Sequence, residues 1–277
     1  MKRWLSVLLL FLLLFAGCRA KNTEPEGCRV YFLDVGQGDC TLFRTSDGDI
    51  LLDAGPESAQ ETLCRKLRKI GVERIALMVL SHSDEDHIGG ADAVLEAFPT
   101  ERILTNGTRG TGECDARLWD TADRLGIPAE TVCAGRSFRC GEALFTVLSP
   151  ADGADPTGGN NDGIVLRVQI GEVAILMMGD AGSETEEDLL ARYGAAQLRS
   201  AVLHAGHHGS NTSSGSAFLA AVAPETVVIS CGAGNAYGHP DGRTLARLRD
   251  AGAEILRTDQ SGDLTLVTNG ATVAFQP

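Results

Sequence analysis

Basic residues are scarce in this sequence of 277 residues, where 24 lysines and arginines stand against 37 aspartates and glutamates. This imbalance disfavours non-specific binding to phosphate polymers, because binding of that kind depends on Lys and Arg side chains that displace counterions. Strong non-specific nucleic-acid binding is therefore not expected. A partner that carries phosphate remains compatible with the sequence, provided that its contacts are local.

The sequence also lacks a pair of cysteines at CxxC spacing, so a structural zinc knuckle is a poor explanation of its cysteines. Once Cys18 is set aside an odd number remains: Cys28, Cys40, Cys64, Cys114, Cys133, Cys140 and Cys231. At least one of them is then a free thiol or takes part in an intermolecular bridge. Outside the cytoplasm, disulfides are compatible with the three that fall in one loop-rich region, Cys114, Cys133 and Cys140.

An apolar run long enough to cross a bilayer is missing as well. The opening stretch MKRWLSVLLLFLLLFAGC combines a basic start with a short apolar run from Leu8 to Ala16, which predicts a signal peptide over residues 1–17. The stretch LFAGC is similar to a bacterial lipobox, which implies that Cys18 becomes the lipid-modified mature N-terminus. We therefore expect a lipid anchor at the extracytoplasmic face of a bacterial cell membrane. A soluble secreted protein cut near Ala20, or an uncleaved anchor, is the alternative.

The rest of the chain predicts a tether followed by one α/β domain. Residues 18–27 are polar and have no periodic apolar face, whereas residues 28–277 contain no second linker. Short apolar strands alternate there with glycine turns, and helical spacing predicts helices over SAQETLCRKLRKIG, SETEEDLLARYG and DGRTLARLRDAG. Strands followed by a helix in each half predict two mixed β-sheets packed face to face with helices outside, a four-layer αββα sandwich. The site is expected where strand ends of both halves meet.

Two segments resemble each other within the chain. DCTLFRTSDGDILLDAG begins at Asp39 and DGIVLRVQIGEVAILMMGDAG begins at Asp162, and each has an arginine, a turn glycine and an apolar strand that ends in Asp-Ala-Gly. An ancient internal repeat and two independent hairpins explain this similarity equally well.

One loop concentrates potential metal ligands. The stretch HSDEDH places His82, Asp84, Asp86 and His87 directly after the apolar strand RIALMVLS. Imidazole and carboxylate are common ligands of Zn, Mn and Fe, and a loop can turn all four side chains inward. A solvated acidic turn with incidental histidines is the alternative, but the position after a buried strand favours a metal site.

Two later stretches carry similar side chains at strand ends. Asp180 ends the strand of MMGDAG, where, taken alone, it is explained equally well as a helix cap. His204, His207 and His208 lie in LHAGHHGSNTSS, and His239 lies in NAYGHP. Every histidine thus follows a predicted buried strand, which scattered surface histidines would not do.

With these motifs the sequence resembles the metallo-β-lactamase superfamily, and within it the hydrolase domain of ComEC-type competence proteins in a free-standing lipoprotein form. The matching motifs, in family order, are FLDVGQGD, LLDAG, SHSDEDHIGG, NND, GDAG, HHGSNTS and YGHP. They span nearly the whole predicted domain, and the region from about Gly107 to Gly159 matches least.

The resemblance implies a site for two divalent metal ions, Zn or Mn. It places His82 and Asp84 on the first ion, Asp86 and His87 on the second, and makes Asp180 the bridging carboxylate. Asp84 stands where many relatives have a histidine, and that exchange replaces a nitrogen by a harder oxygen. Three carboxylate ligands make Mn²⁺ a real competitor to Zn²⁺.

Further positions follow from the same resemblance. His207 becomes a ligand of the second ion, and Asp53 an acid that orients the metal loop from behind. Where many relatives supply a histidine to the first ion, the segment GGNNDGIVL offers only Asn161 or Asp162, or leaves the position to water. Gly163 stands where ComEC-like domains usually have a serine.

The implied chemistry is hydrolysis. Two cations near one aspartate lower the pKa of a shared water, which would then attack a carbonyl carbon or a phosphorus. Asp86, His208 and His239 are the predicted catalytic residues, with Ser210 and Asn211 as further groups near the substrate. The alternatives are a helix-capping role for the loop GSNTSS and a turn role for His239.

The resemblance favours a phosphodiester substrate, in nucleic acid or in a cell-surface polymer. Hydrolysis of a β-lactam or lactone is one alternative, although β-lactam hydrolysers of this fold mostly keep a nitrogen ligand at the position of Asp84. A surface binding protein with a vestigial site is another, and the near-complete ligand set opposes it.

Overall fold

The computed structural model describes residues 27–154 and 159–276. The predicted signal peptide, the lipid attachment at Cys18 and nearly all of the tether lie outside these residues and stay predictions. Within the described ranges, no helix is both long enough and apolar enough to cross a bilayer.

Strands and helices occur where the apolar patterns predict them, with additional elements between. The strands are β1 (Cys28–Phe32), β2 (Thr41–Thr45), β3 (Gly48–Leu52), β4 (Ile75–Leu80), β5 (Ile103–Thr105), β6 (Ala129–Thr131), β7 (Ser137–Cys140), β8 (Ala143–Ser149), β9 (Val165–Ile170), β10 (Val173–Met177), β11 (Val202–His204), β12 (Thr226–Ile229), β13 (Glu254–Arg257), β14 (Leu264–Thr268) and β15 (Val273–Gln276). The α-helices are α1 (Gln60–Ile70), α2 (Glu85–Ile88), α3 (Ala91–Ala97), α4 (Glu113–Leu125), α5 (Ser183–Arg192), α6 (Ala195–Leu198), α7 (Ser216–Val222), α8 (Gly242–Asp250) and α9 (Thr258–Ser261).

The two predicted mixed sheets are confirmed. The first has the strand order β15-β14-β1-β2-β3-β4-β5-β6 and the second β13-β12-β11-β10-β9-β8-β7. Each contains both parallel and antiparallel pairs.

Three buried clusters give the layers of the sandwich. Because successive side chains of a strand point to opposite faces, Leu77 and Val79 of β4 pack between the sheets whereas Met78 and Leu80 pack under the helices of the first sheet. The cluster between the sheets includes Phe43 and residues of both sheets. A third cluster joins the outer face of the second sheet to α5, α7 and α8. Helix, sheet, sheet and helix therefore follow one another, as the sequence predicts.

The two similar segments adopt the same local topology. β2 and β3 form an antiparallel hairpin, and β3 then pairs parallel to β4. β9 and β10 repeat the hairpin, and β10 pairs parallel to β11. Since the carboxyl ends of parallel strands lie at one edge, Asp53 and the loop after β4 come together, as do Asp180 and the loop after β11.

Candidate metal centre

The loop after β4 is held against the strand-end loop of Asp53. The backbone N–H and the hydroxyl of Ser81 both donate to the Asp53 carboxylate, at 2.8 and 2.7 Å. The hydroxyl proton is thereby committed, so the Ser81 oxygen accepts from Nδ1 of His82 at 3.0 Å. Nδ1 of His87 donates to the same carboxylate at 2.9 Å. Both imidazoles, in their neutral form, then keep the Nε2 lone pair for a ligand.

His208 is fixed in the same way from the other sheet. Its Nδ1 lies 3.0 Å from the carbonyl oxygen of Ser230, which can only accept a hydrogen bond. Its Nε2 lies 3.1 Å from a carboxylate oxygen of Asp86 and 3.5 Å from one of Asp180. Three imidazoles therefore have Nδ1 held by the protein and Nε2 available at the site.

The loop of His208 passes the loop of Asp180 at Gly206. A Cβ on Gly206 would lie 2.4 Å from the backbone oxygen of Ala181, so only glycine allows this close approach.

His207 and His208 both adopt the left-handed backbone conformation, with φ of 50° and 53°. Two such residues in succession are costly, and strain of this kind concentrates at functional sites.

The side chains converge into groups that suit divalent cations. His82, His87 and Asp180 form one candidate group, and Asp86, His87 and His208 form another, with ligand atoms within 4.8 Å of one another in each. Nε2 of His82 is buried and has no hydrogen-bond partner, which a metal ion would supply. Nitrogen and carboxylate oxygen are donors that both Zn²⁺ and Mn²⁺ accept. The residues present therefore fit the predicted ions.

The charges of the site reinforce this fit. Burial alone would lower the pKa of His87 and of His208, but the carboxylates around them, led by Asp180 for His87 and by Asp39 for His208, hold both pKa values well above the usual range. Burial would likewise raise the pKa of Asp180, yet the neighbouring His87 and His208 hold it far below its usual range. The carboxylates thus stabilise positive charge here, and a metal ion would compete with the protons for the same nitrogens.

Not every predicted ligand is equally enclosed. The side chain of Asp84 is 47% exposed and lies at the rim, with one oxygen 3.5 Å from Nε2 of His82. His207 has a 30% exposed side chain, and its Nε2 lies 3.6 Å from an oxygen of Asp180. The second candidate group contains His208 where the sequence predicts His207, and the role of His207 stays a prediction.

Asn160, the neighbour of the predicted Asn161, makes the contact to Asp180. Nδ2 of Asn160 donates to Asp180 at 3.2 Å and lies 3.3 Å from Nε2 of His207. The side chain of Asn161 accepts from the backbone N–H of Gly182 at 3.0 Å. Asn161 therefore fixes the backbone beside Asp180, while Asn160 contacts the carboxylate itself.

The loop after His208 mostly bonds to itself. The hydroxyl of Ser210 lies 3.0 Å from that of Thr212, and the side-chain oxygen of Asn211 accepts from Arg247 at 3.2 Å. Thr212 in turn lies 3.3 Å from Nδ1 of His207, so the loop positions His207.

His239 completes the accessible side of the site. Its ring centroid is 5.4 Å from that of His207 and 6.4 Å from that of His208. Burial, and then these two histidines, lower its pKa, and its Nδ1 is buried without a hydrogen-bond partner. A neutral imidazole therefore faces the site from the loop after β12.

Sequence reasoning missed Asp39, which lies behind His208. The residue is 4% exposed, and its Oδ1, which has no hydrogen-bond partner, is 3.4 Å from Nδ1 of His208 and 3.7 Å from Nε2 of His204. Its backbone N–H donates to the backbone oxygen of Asp86 at 3.1 Å. Asp39 thus places a buried carboxylate behind His208, as Asp53 does behind His87, but without a hydrogen bond to the imidazole. The similarity between the segments that begin at Asp39 and Asp162 is the one sequence signal near this residue. Its shared feature is the Asp-Ala-Gly ending, which points to Asp53 and Asp180 and not to Asp39.

We expect Asp39→Asn to lower metal affinity by about 10- to 100-fold, the range found when a carboxylate behind a metal-binding histidine is removed. The side chain keeps its size but loses the charge that faces the imidazole. Metal titration of the chelator-stripped protein checks this, with Asp188→Asn on the exposed face of α5 as the matched control. Equal affinities for the two variants would contradict the role given to Asp39.

Comparison with known proteins shows which family and which relatives the chain is similar to. Residues 33–233 match the profile of the Metallo-beta-lactamase superfamily. The chain is 36% identical over 251 residues to "Competence protein ComA" of Neisseria gonorrhoeae, covering 90% of this chain and 34% of that protein. It is 29% identical over 273 residues to "ComE operon protein 3" of Bacillus subtilis, covering 92% of this chain and 34% of that protein. The chain thus spans about a third of the length of these relatives.

Solved structures share the fold. The metallo-beta-lactamase fold protein YhfI of Bacillus subtilis superposes with a TM-score of 0.55 at 10% identity, over 90% of this chain and 100% of that one. CmlA, a diiron β-hydroxylase of Streptomyces venezuelae, gives a TM-score of 0.57 at 16% identity, over 88% of this chain and 55% of that one. At these identities the likeness concerns the fold alone.

Proposed function

The chain belongs to the metallo-β-lactamase superfamily, and from this premise we propose that it is a hydrolase of phosphodiester bonds that holds two divalent metal ions. The strongest support is the arrangement of three buried imidazoles, His82, His87 and His208, whose Nδ1 atoms are held by the protein and whose Nε2 atoms face carboxylates. Hard carboxylate oxygens, from Asp86 and Asp180, accompany them, and such donors suit ions that act on phosphate.

His87 belongs to both groups described above, so the two proposed ions would lie close together. His82, Asp180 and, at the rim, Asp84 would hold one ion. Asp86, His87 and His208 would hold the other, with Asp180 facing both. When bound, such ions supply Lewis acidity toward a water and toward a phosphoryl oxygen.

The protein's own residues define the reaction space. Asp53 and Ser81 keep the imidazoles of the metal loop in one tautomer and orientation, which preorganises the site before substrate arrives. His207 and His239 face the accessible side. A neutral His239 is placed to accept a hydrogen bond from substrate or, once protonated, to give a proton to the leaving oxygen.

The test is hydrolysis by the chelator-stripped chain after reloading with Mn²⁺ or Zn²⁺. We expect release of nitrophenolate from bis-p-nitrophenyl phosphate and cleavage of labelled single-stranded DNA, both dependent on added metal. Inertness toward both substrates with either metal would overturn the proposal. Nitrocefin turnover at an ordinary enzymatic rate, about 1 s⁻¹ or more, would favour the β-lactam alternative.

We also propose that the enzyme acts at the extracytoplasmic face of the membrane through lipid on Cys18. The support is the sequence LFAGC and the polar tether that follows it. Labelling with radioactive palmitate that disappears in Cys18→Ala is the expected result, and equal labelling of both proteins would contradict it.

A further inference from the structure

Tyr237 is an exposed aromatic side chain beside the metal centre. It is 72% exposed, against 42% for Leu125, the other large hydrophobic side chain that is exposed within the described residues. Its ring stacks on His239, with centroids 5.9 Å apart and planes 26° from parallel. With one face of the ring against His239, the high exposure of Tyr237 leaves aromatic surface open to a ligand.

The loop that carries both rings is fixed by Asn235. Its Oδ1 accepts from the backbone N–H groups of Tyr237 and His239, at 3.2 and 3.0 Å. Its Nδ2 donates to the carbonyl oxygens of Gly232 and His239, at 2.9 and 2.6 Å. Gly238 supplies the left-handed turn between the rings, with φ of 72°. The backbone that carries the exposed ring is therefore held in place, so less of the loop has to be ordered when a ligand stacks on it.

The ring is also close to the reacting centre. His239, on which Tyr237 stacks, is 5.4 Å from the ring of His207, and Nε2 of His207 is 3.6 Å from a carboxylate oxygen of Asp180. A planar group on Tyr237 is thus separated from the metal centre by two imidazole rings.

The acidic net charge makes non-specific electrostatic attraction a weak source of affinity for a polymeric phosphodiester. The chain carries 24 basic against 37 acidic residues, so few counterions are released by Lys and Arg. Stacking on an aromatic side chain is the other main source of affinity for single strands, and it tolerates any sequence because every base has a π-face. A duplex keeps its bases stacked on one another, whereas a single strand leaves them free to stack on the protein.

We propose that Tyr237 is a stacking subsite for a nucleobase of the substrate strand, on the accessible side of the metal centre. The inference rests on the proposed function and specifies its substrate as single-stranded nucleic acid. A base-free phosphodiester polymer of the cell surface would offer no base to stack on Tyr237.

The experiment compares two fluorescent oligomers of equal length, one of deoxythymidine and one of abasic residues that keeps every phosphodiester and lacks every base. With the metal-loaded chain we expect kcat/KM to favour deoxythymidine by on the order of 10- to 100-fold. Tyr237→Ala lowers the ratio of the two kcat/KM values to about one, because the base then gains nothing from the ring. Tyr237→Phe retains the preference, and so does the matched control Leu125→Ala.

Two results would overturn the inference: equal cleavage of both oligomers by the unaltered chain, or an equal loss on both oligomers in Tyr237→Ala. Fluorescence anisotropy of the same oligomers with the metal-free chain separates the subsite from the chemistry. A base preference in binding that depends on Tyr237, without cleavage of either oligomer or of bis-p-nitrophenyl phosphate, would sustain the subsite and refute the proposed hydrolysis. Cleavage of bis-p-nitrophenyl phosphate without any base preference would sustain the proposed hydrolysis and refute the subsite.

Discussion

Asp180→Asn is expected to lower the metal-dependent kcat/KM toward bis-p-nitrophenyl phosphate by at least about 100-fold, because loss of even a supporting carboxylate costs 10- to 100-fold. Asp180 is 3% exposed, and its carboxylate lies 3.1 Å from Nε2 of His87 and 3.5 Å from Nε2 of His208. The amide keeps the volume of the side chain but removes the negative charge that both proposed ions would share. Bound metal, measured by elemental analysis after reconstitution, is expected to fall with the activity.

Asp188→Asn is the control for this experiment. Asp188 lies on α5, a short distance along the chain, where its carboxylate pairs with Arg192 at the surface. The same chemical change there should leave both activity and metal content unchanged. Full activity of Asp180→Asn would show that the site has been assigned wrongly.

Replacement of His208 by alanine is expected to remove one metal ion and to lower kcat/KM by on the order of 100-fold or more. The side chain of His208 is 2% exposed, and its Nε2 lies 3.1 Å from Asp86. His207→Ala should retain both ions and lose less activity, since the 30% exposed side chain of His207 lies on the accessible side. Elemental analysis and steady-state kinetics on the two variants provide the measurement.

The two histidines are adjacent and receive the same substitution, so each variant is the control for the other. The sequence predicts His207 as the ligand, whereas the geometry groups His208 with Asp86 and His87. Loss of metal in His207→Ala, with metal retained in His208→Ala, would favour the sequence-based prediction and contradict the geometric one.

The sequence predicts the fold because its apolar patterns are local and regular. β4 is a continuous apolar run, and it is buried on both faces as such a run predicts. The region between Gly107 and Gly159 resembles the family least, and it contains α4, for which the sequence analysis gives no prediction. The apolar residues Cys114, Leu118 and Ala122 recur there at helical spacing, which is the local signal for this helix.

The site is predictable only in part, because some of its contacts depend on tertiary packing. Asp39 lies in the turn GQGD, where a carboxylate is explained by turn chemistry alone. Its approach to His208 follows from the packing of the two sheets, which no local pattern records. Which of the two asparagines contacts Asp180 depends on the conformation of one short turn. Asn160 donates to the Asp180 carboxylate, whereas the adjacent Asn161 accepts from the backbone N–H of Gly182.

The two proposed divalent ions would lie where the strand ends of the two sheets meet. Anomalous X-ray diffraction from crystals grown with Mn²⁺ tests this proposal most directly. We expect two peaks about 3.5–4 Å apart, the spacing of two-metal hydrolytic sites, with Asp180 beside both and His208 beside one. A single peak, or no peak among these residues, would contradict the account.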